Sequence, residues 1–273
     1  MAEIVLEAGR SEKNYWKDLW RFRELFYFLA WRDILVRYKQ TVVGVAWAGI
    51  RPLLTMMIFT VVFGRVAKLP AEGTAPYALL VLAGMLPWQF ISSSLSASSE
   101  SLVGNSNLVS KIYFPRLIVP ISSVMTSFVD FLITVALMAG VMVWFRFTPD
   151  WHLVALPLFS ALAFVCAIGA GFWLSALTVE YRDIRHVVPF IVQFGMYLSP
   201  VGFSSSIVPE RWKLLYACNP AVGIIDGFRW SLLRGEVKLD MNAVALSIAI
   251  SLALCSSGLW YFRKTERTFA DVI

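Results

Sequence analysis

Leu117-Ile118-Val119-Pro120-Ile121-Ser122-Ser123-Val124-Met125-Thr126-Ser127-Phe128-Val129-Asp130-Phe131-Leu132-Ile133-Thr134-Val135-Ala136-Leu137-Met138-Ala139-Gly140-Val141-Met142-Val143-Trp144-Phe145 is one unbroken apolar run in which Asp130 is the single charged side chain. A helix crosses the hydrocarbon core of a bilayer with about 20 such residues. The stretch is therefore long enough to span, and the rest of the chain has the same character. Of 273 residues, 58% are hydrophobic and 15% charged, with a mean hydropathy of +0.68; a soluble domain carries about 25% charged residues. These values exclude a secreted module, a nucleic-acid binder and an ordinary cytosolic enzyme, and they predict one membrane domain.

Working outward from that run, the chain reads as an all-α integral membrane protein with six transmembrane helices, at about 43–66, 77–96, 117–145, 153–177, 187–203 and 243–262. Residues 1–42 form a cytoplasmic region with an interfacial amphipathic helix, and 263–273 a cytoplasmic tail. Between Asn14 and Tyr38, Trp16, Leu19, Trp20, Phe22, Phe26, Leu29 and Trp31 recur at three- and four-residue steps among basic residues. That is the pattern of a helix lying in the headgroup plane. No short apolar core follows the first basic residues, so no cleavable signal is expected.

Arg51 near the start of the first span is expected at an interface, because an arginine at the bilayer centre costs about 2.5–3.5 kcal/mol on insertion scales. The second span dissolves into Ser92-Ser93-Ser94-Leu95-Ser96-Ala97-Ser98-Ser99, which reads as a helix end forming a packed contact or a watery mouth. Asp130 is either a functional intramembrane carboxylate or the holder of a structural partner. Ala163, Ala167, Gly171 and Ser175 fall on one four-residue stripe of the fourth span and predict close helix packing there. Pro189, Pro200 and Gly202 interrupt the fifth apolar run. Trp212 to Ala217 and Val222 to Leu233, separated by Asn219-Pro220, are too short and polar to span and fit re-entrant or interfacial helices. Cys166 and Cys255 lie in apolar runs as packing residues, and Cys218 stands alone.

The net charge of +6 reports topology. With both termini cytoplasmic, the inner side holds Arg10, Lys13, Lys17, Arg21, Arg23, Arg32, Arg37, Lys39, Lys111, Arg116, Arg182, Arg185, Arg263, Lys264 and Arg267. The outer side receives Arg65, Lys68, Arg146, Arg211, Lys213, Arg229, Arg234 and Lys238, a smaller set, as the positive-inside rule requires. The five basic residues between Ser204 and Asn242 strain that rule.

Covalent chemistry has little to stand on. Gly44 and Gly49 have the spacing of a phosphate-binding loop, but Ile50-Arg51 replaces the Lys-Ser/Thr that would hold phosphate and magnesium. His152 and His186 are too few and too isolated for a zinc site, so no metal is expected. Glu180, Arg182, Asp183 and Arg185 read either as a catalytic cluster or as a self-neutralising charged loop.

Four stretches carry the reading further. Arg32-Asp33-Ile34-Leu35-Val36-Arg37-Tyr38-Lys39-Gln40-Thr41-Val42-Val43-Gly44-Val45-Ala46-Trp47, followed by Pro52-Leu53, resembles the start of the first span in bacterial polysaccharide ABC exporter permeases. So does Lys111-Ile112-Tyr113-Phe114-Pro115-Arg116. Tyr181-Arg182-Asp183 with Val188-Pro189-Phe190 and Ser199-Pro200-Val201, and Asn219-Pro220 with Gly227-Phe228-Arg229, complete the match in the family's order.

The resemblance implies the transmembrane subunit of an exporter for a polyprenyl-diphosphate-linked polysaccharide such as O-antigen, capsule or teichoic acid. It implies a homodimer in the bacterial inner membrane that binds two copies of a separate cytoplasmic ATPase. ATP and magnesium belong to that partner; no cofactor is expected in this chain and no nucleic acid among its partners. The family's ATPase-coupling helix maps onto Asn107, Leu108, Val109, Ser110, Lys111, Ile112 and Tyr113, and its external gate onto Trp212, Tyr216, Asn219, Pro220, Phe228 and Arg229. Family members line the glycan path with spans one and five, which makes Trp47, Phe59, Phe190, Phe194 and Tyr197 candidates. Ring faces can hold a sliding polymer without fixed register, although a lipid-facing or packing stripe looks the same. Arg37 and Lys39 are candidates for attracting the lipid diphosphate, or are snorkelling topology signals. A membrane-embedded transferase acting on polyprenyl-linked sugars remains the alternative, as does an ion-coupled transporter resting on Asp130.

Overall fold

The computed structural model describes residues 15–39, 44–69 and 73–269. The Gln40 to Val43 part of the first matched stretch and both outer terminal segments, with Arg10 and Lys13 of the charge count, lie outside the described residues. Among the described residues every regular element is helical: α1 (Tyr15–Arg21), α2 (Arg23–Lys39), α3 (Gly44–Phe59), α4 (Tyr77–Gly104), α5 (Ser106–Lys111), α6 (Ile118–Trp144), α7 (Leu156–Glu180), α8 (Ile184–Leu198), α9 (Glu210–Ala217), α10 (Pro220–Leu232) and α11 (Met241–Thr265). The first span widens into a π-helix over Thr60–Val66, and a 3₁₀ turn, Trp151–Ala155, leads into α7.

Among the described residues, five helical stretches are long and apolar enough to cross a membrane: Gly49–Val66, Tyr77–Gly104, Ile118–Trp144, Trp151–Glu180 and Met241–Thr268. The fifth expected span, 187–203, is shorter than its apolar run, because α8 has 15 residues and ends at Leu198 rather than at 203. Pro200 is the cause: the residue before a proline is pushed towards extended backbone, and Ser199 sits at φ −109° and ψ 151°. At 1.5 Å per residue α8 is about 22 Å long, short of the roughly 30 Å hydrocarbon core.

α4 is the axis of the bundle and packs against α3, α6, α7, α8 and α10. Its sequence is apolar on every side near its start, and a helix apolar all round is an enclosed helix; Leu79, Leu80, Val81, Leu82 and Ala83 are all fully buried. The serine run is not the end of this helix, which continues to Gly104. Ser92, Ser93 and Ser96 donate to the carbonyls of Gln89, Phe90 and Ser92 at 3.1, 3.1 and 3.0 Å, and Ser99 and Ser101 to those of Ser96 and Ser98 at 2.8 Å. These five hydroxyls are satisfied by their own turn, which allows the helix to persist in a low-dielectric interior, while Ser94 and Ser98 are buried against neighbouring helices without a hydrogen-bond partner among the described residues.

The small-residue stripe on α7 packs as expected: Ala163, Ala167 and Ser175 are fully buried and Gly171 faces Ser98 of α4. α7 and α11 approach backbone to backbone. A Cβ on Gly169 would lie 2.5 Å from the Cys255 amide nitrogen, and one on Gly258 would lie 2.4 Å from the Gly169 carbonyl oxygen.

The amino-terminal region is two helices rather than one, with Phe22 at the turn between them. Tyr15 at its start donates to the Glu266 carboxylate at 3.0 Å, beyond the end of α11. Arg32 donates to Asn105 Oδ1 at 2.8 Å, at the end of α4. Arg37 and Tyr38 both hydrogen-bond the Asp130 carboxylate, twelve residues up α6 from Ile118. The region is thus pinned at three points and rises along α6. Asp130 has its partner on α2, which favours the structural of its two readings.

Candidate functional site

Two constructions flank the short helix α8. On its inner side Val188 is buried and Gly195 packs against Trp88 of α4. On its outer side Phe190, Phe194 and Tyr197 are about 60% exposed in the single chain. Phe190 and Phe194 stack with centroids 6.4 Å apart, as four-residue spacing on one helical face allows. The other two candidates of the aromatic path are placed differently. Phe59 is half-buried and, with Phe63, packs on Gly202, just beyond the carboxyl end of α8. Trp47 is exposed about 18 Å away along α3 from Phe59 at helical rise. Phe190, Phe194 and Tyr197 are brought together; Trp47 is not brought to them.

The second construction is a clasp on the break after α8. The Pro200 interruption frees carbonyls inside the bundle, and an unsatisfied acceptor there is costly. Arg229 on α10 meets them. Its guanidinium donates from Nη2 to the Val201 carbonyl at 3.0 Å and from Nη1 to that of Phe203 at 2.8 Å, while its Nε donates to the Leu80 carbonyl within α4 at 3.1 Å and so ties the break to that helix. Tyr77 donates to the Gly202 carbonyl at 2.5 Å. Gly84 makes the room: a Cβ there would stand 2.8 Å from Arg229 Nη2. Asn219 ties the clasp to α8, capping α10 through Ala221 N at 3.0 Å and donating to Ser199 Oγ at 2.9 Å, while Pro220 takes the first helical position that favours it. Of the other residues expected at an external gate, Phe228 is fully buried, Tyr216 half-buried and Trp212 half-exposed. Phe228 and Arg229 are thus fixed inside the subunit, joining α10 to α4 and to the break.

At the other end of the bundle, the segment expected to couple to an ATPase is a six-residue helix, Ser106–Lys111. It is shorter than the expected 107–113 because Ile112 is already extended, at φ −124° and ψ 134°, approaching Pro115. Val109 and Phe114 are buried in a cluster with Leu29, Leu102 and Phe262. Asn107, Ser110 and Lys111 face outward, and Ile112 and Tyr113 are more than half exposed. Arg37 is engaged by Asp130, and Lys39 is exposed at the end of α2.

The sequence profile of the ABC-2 type transporter family matches residues 24–233, from α2 through α10. The chain belongs to the ABC-2 type transporter membrane family. It is 26% identical over 243 residues to the O-antigen export system permease protein RfbA of Klebsiella pneumoniae, covering 89% of this chain and 92% of that protein. It is 23% identical over 259 residues to the protein of the same name from Myxococcus xanthus, covering 94% and 98%. A similarity of 25% over 194 residues links it to the inner membrane transport permease YadH of Escherichia coli K12, covering 67% and 74%. This ABC-2 chain is therefore a multi-pass transport subunit of the inner membrane.

Sequence reasoning missed Tyr77, Gly84 and Leu80 as partners of the break, and Glu266 as the anchor of α1. The signal for the first group was present in Pro200: freed carbonyls demand donors, and Arg229 is the donor-rich side chain of α10, a helix that also carries Asp226.

Proposed function

We propose that the chain is the transmembrane subunit of an ABC exporter that moves a lipid-linked, O-antigen-like polysaccharide out across the bacterial inner membrane. The observation that carries this reading is the near full-length similarity to permeases named for O-antigen export, over 89% and 94% of this chain. In the proposal two copies of the chain form the channel and each binds one copy of a separate ATPase, which holds ATP and magnesium. Ile112 and Tyr113 enter a cleft on that ATPase, with Val109 and Phe114 passing its movement into the bundle. Both termini and α5 face the cytoplasm, and the glycan slides against Phe190, Phe194 and Tyr197. The exposed apolar surface of α3 and α8, including Leu54, Met57 and Ile58, is what a half-channel leaves uncovered in a single copy.

Deleting the gene should remove one surface polysaccharide, and the purified chain should bring down a P-loop ATPase. Normal surface glycan in the deletion strain contradicts the proposal. For orientation, a cysteine replacing Glu210 in a background lacking Cys166, Cys218 and Cys255 should react with an impermeant thiol reagent in intact cells, and one replacing Asn107 should not. The reverse pattern inverts the topology.

A further inference from the structure

A cavity of about 1050 Å³ opens between the end of α11, the start of α1 and the 112–116 linker. Nothing in the export mechanism above uses it. Its charged lining is Arg116, Arg263, Lys264 and Arg267 against Asp18 and Glu266. Glu266 is occupied within the wall, accepting from Tyr15 Oη at 3.0 Å and from the Arg116 amide at 2.7 Å. Burial, with the Glu266 carboxylate beside it, pushes the Tyr15 hydroxyl far above the usual phenol range, so it remains a donor. The Arg263 guanidinium lies 4.6 Å from the Tyr15 ring centroid and the Lys264 ammonium 5.2 Å from that of Trp260. Ring contacts hold a cation in place without cancelling its charge. The cavity is therefore an electropositive recess whose basic groups are held by its own walls.

The surface beside it is apolar. Ile248, Leu252, Ser256 and Trp260 follow at four-residue steps on α11 and form one stripe; Ser256 and Trp260 line the cavity, and Ile248, Leu252 and Trp260 are 43%, 56% and 63% exposed. A recess for an anion at the foot of an apolar stripe fits a ligand with a phosphate at one end and a hydrocarbon chain at the other. Basic pockets at the cytoplasmic end of spans hold anionic headgroups in this way. α11 packs on α7, α9 and α10, whereas the aromatic face lies on α8, which packs on α4 and α7. α7 lies against both, and the recess is built on α11 and not on the helix that bears the aromatic face, which favours bulk lipid over the transported one.

We infer that the recess between α1, the 112–116 linker and the end of α11 is a binding site for an anionic phospholipid headgroup, with the acyl chain laid along Ile248 and Leu252. The bound lipid joins the linker that carries Ile112 and Tyr113 to α11. This inference rests on the cytoplasmic placement of that end in the proposed function, but its test needs neither ATPase nor transport, so the two can fail separately.

The full chain is reconstituted in nanodiscs of phosphatidylcholine containing phosphatidylglycerol and re-extracted in detergent, and the retained lipid is measured by mass spectrometry. Wild type should retain phosphatidylglycerol selectively, and Arg263→Gln with Lys264→Gln should lower that retention by about tenfold or more. Arg182→Gln with Arg185→Gln, a pair of equal charge on the 181–185 loop, should leave it unchanged. If the first pair does not fold, the wild type carries the test: its thermal midpoint should rise with phosphatidylglycerol and not with an equal amount of phosphatidylcholine. Equal retention in both variant pairs, or no selectivity in wild type, overturns the inference. Preferential retention of a polyprenyl diphosphate when both lipids are offered overturns it in favour of the substrate.

Discussion

Phe90 of α4 packs between Phe131 and Phe164, with ring centroids 5.4 and 6.2 Å away, and is 2% exposed. Phe190 and Phe194 of α8 stack at a similar 6.4 Å, yet each is 61% exposed. The same residue type thus does two jobs. Around α4 the rings contact neighbours on several sides and fix the positions of α6 and α7. On α8 they contact one another and present their remaining faces outward, where a ring can be lost without leaving a cavity. The interior should therefore answer to substitution as stability, and the outer face as transport.

The largest effect is expected at Arg229. Arg229→Met orphans the carbonyls of Val201 and Phe203 and removes the added donor to Leu80 of α4, and at about 1–3 kcal/mol for each buried unsatisfied acceptor the loss should sharply reduce folded protein. Arg229→Lys should rescue little, since one ammonium cannot reproduce the planar fork. Monodisperse yield and thermal unfolding in detergent read both; a stable Arg229→Met protein would mean that water satisfies the break. Gly169→Val should come next, by forcing α7 and α11 apart against a Cys255 amide that a Cβ would meet at 2.5 Å. Its cost is about 1–3 kcal/mol in unfolding.

Ile112→Asp sharpens the comparison from the other end of the bundle. Ile112 is 53% exposed, so unfolding should shift by less than about 0.5 kcal/mol, while ATPase co-purification and export are lost. Persistence of both would remove the α5 loop from coupling. Asp130→Asn keeps an acceptor for Tyr38 and loses the charge facing Arg37, whose side chain is 39% exposed, so about 1 kcal/mol is expected.

The smallest effect lies in the loop pair at the far end, where Thr74 donates to Glu236 from Oγ1 at 2.7 Å and from its amide at 2.5 Å. The hydroxyl bond from Thr74 holds the Glu236 carboxyl below its ordinary range. A carboxylate with a lowered folded pKa stabilises above the unfolded value and stops doing so as pH falls through the folded one. Protection of the Thr74 amide, its exchange rate relative to the intrinsic rate at the same pH, should therefore fall below the ordinary glutamate range. Glu236→Gln should lower that protection at neutral pH, and wild-type protection that does not change with pH would remove the clasp.

Much of this was legible because lipid is a demanding solvent. The run at 117–145 predicted α6 to within a residue at each end, since apolar length alone sets a span. The α7 stripe was legible because close packing in a membrane selects small residues at four-residue steps. The serine run misled only about where α4 ends, because a serine's side chain can serve its own helix as readily as water; the packed contact it predicted is present where Ser98 meets Gly171 of α7. α8 came out shorter than its apolar run because hydropathy does not register a proline as a stop. Phe228 and Arg229 were assigned to an external gate from the family resemblance alone, and sequence could not show that the Val201 and Phe203 carbonyls after Pro200, with the Leu80 carbonyl of α4, converge on a buried arginine. The Asp130 partner was out of reach, since Arg37 and Asp130 are 93 positions apart.

The most direct test of the central claim, that the outward aromatic face of α8 carries the glycan, is the surface polysaccharide of cells bearing Phe194→Ala with Tyr197→Ala at the chromosomal locus. Membrane level, dimer yield and ATPase binding should stay at wild-type values, because both rings are about 60% exposed, and the exported glycan should be reduced or shortened. Wild-type surface polysaccharide in that strain, at normal expression, would contradict the account.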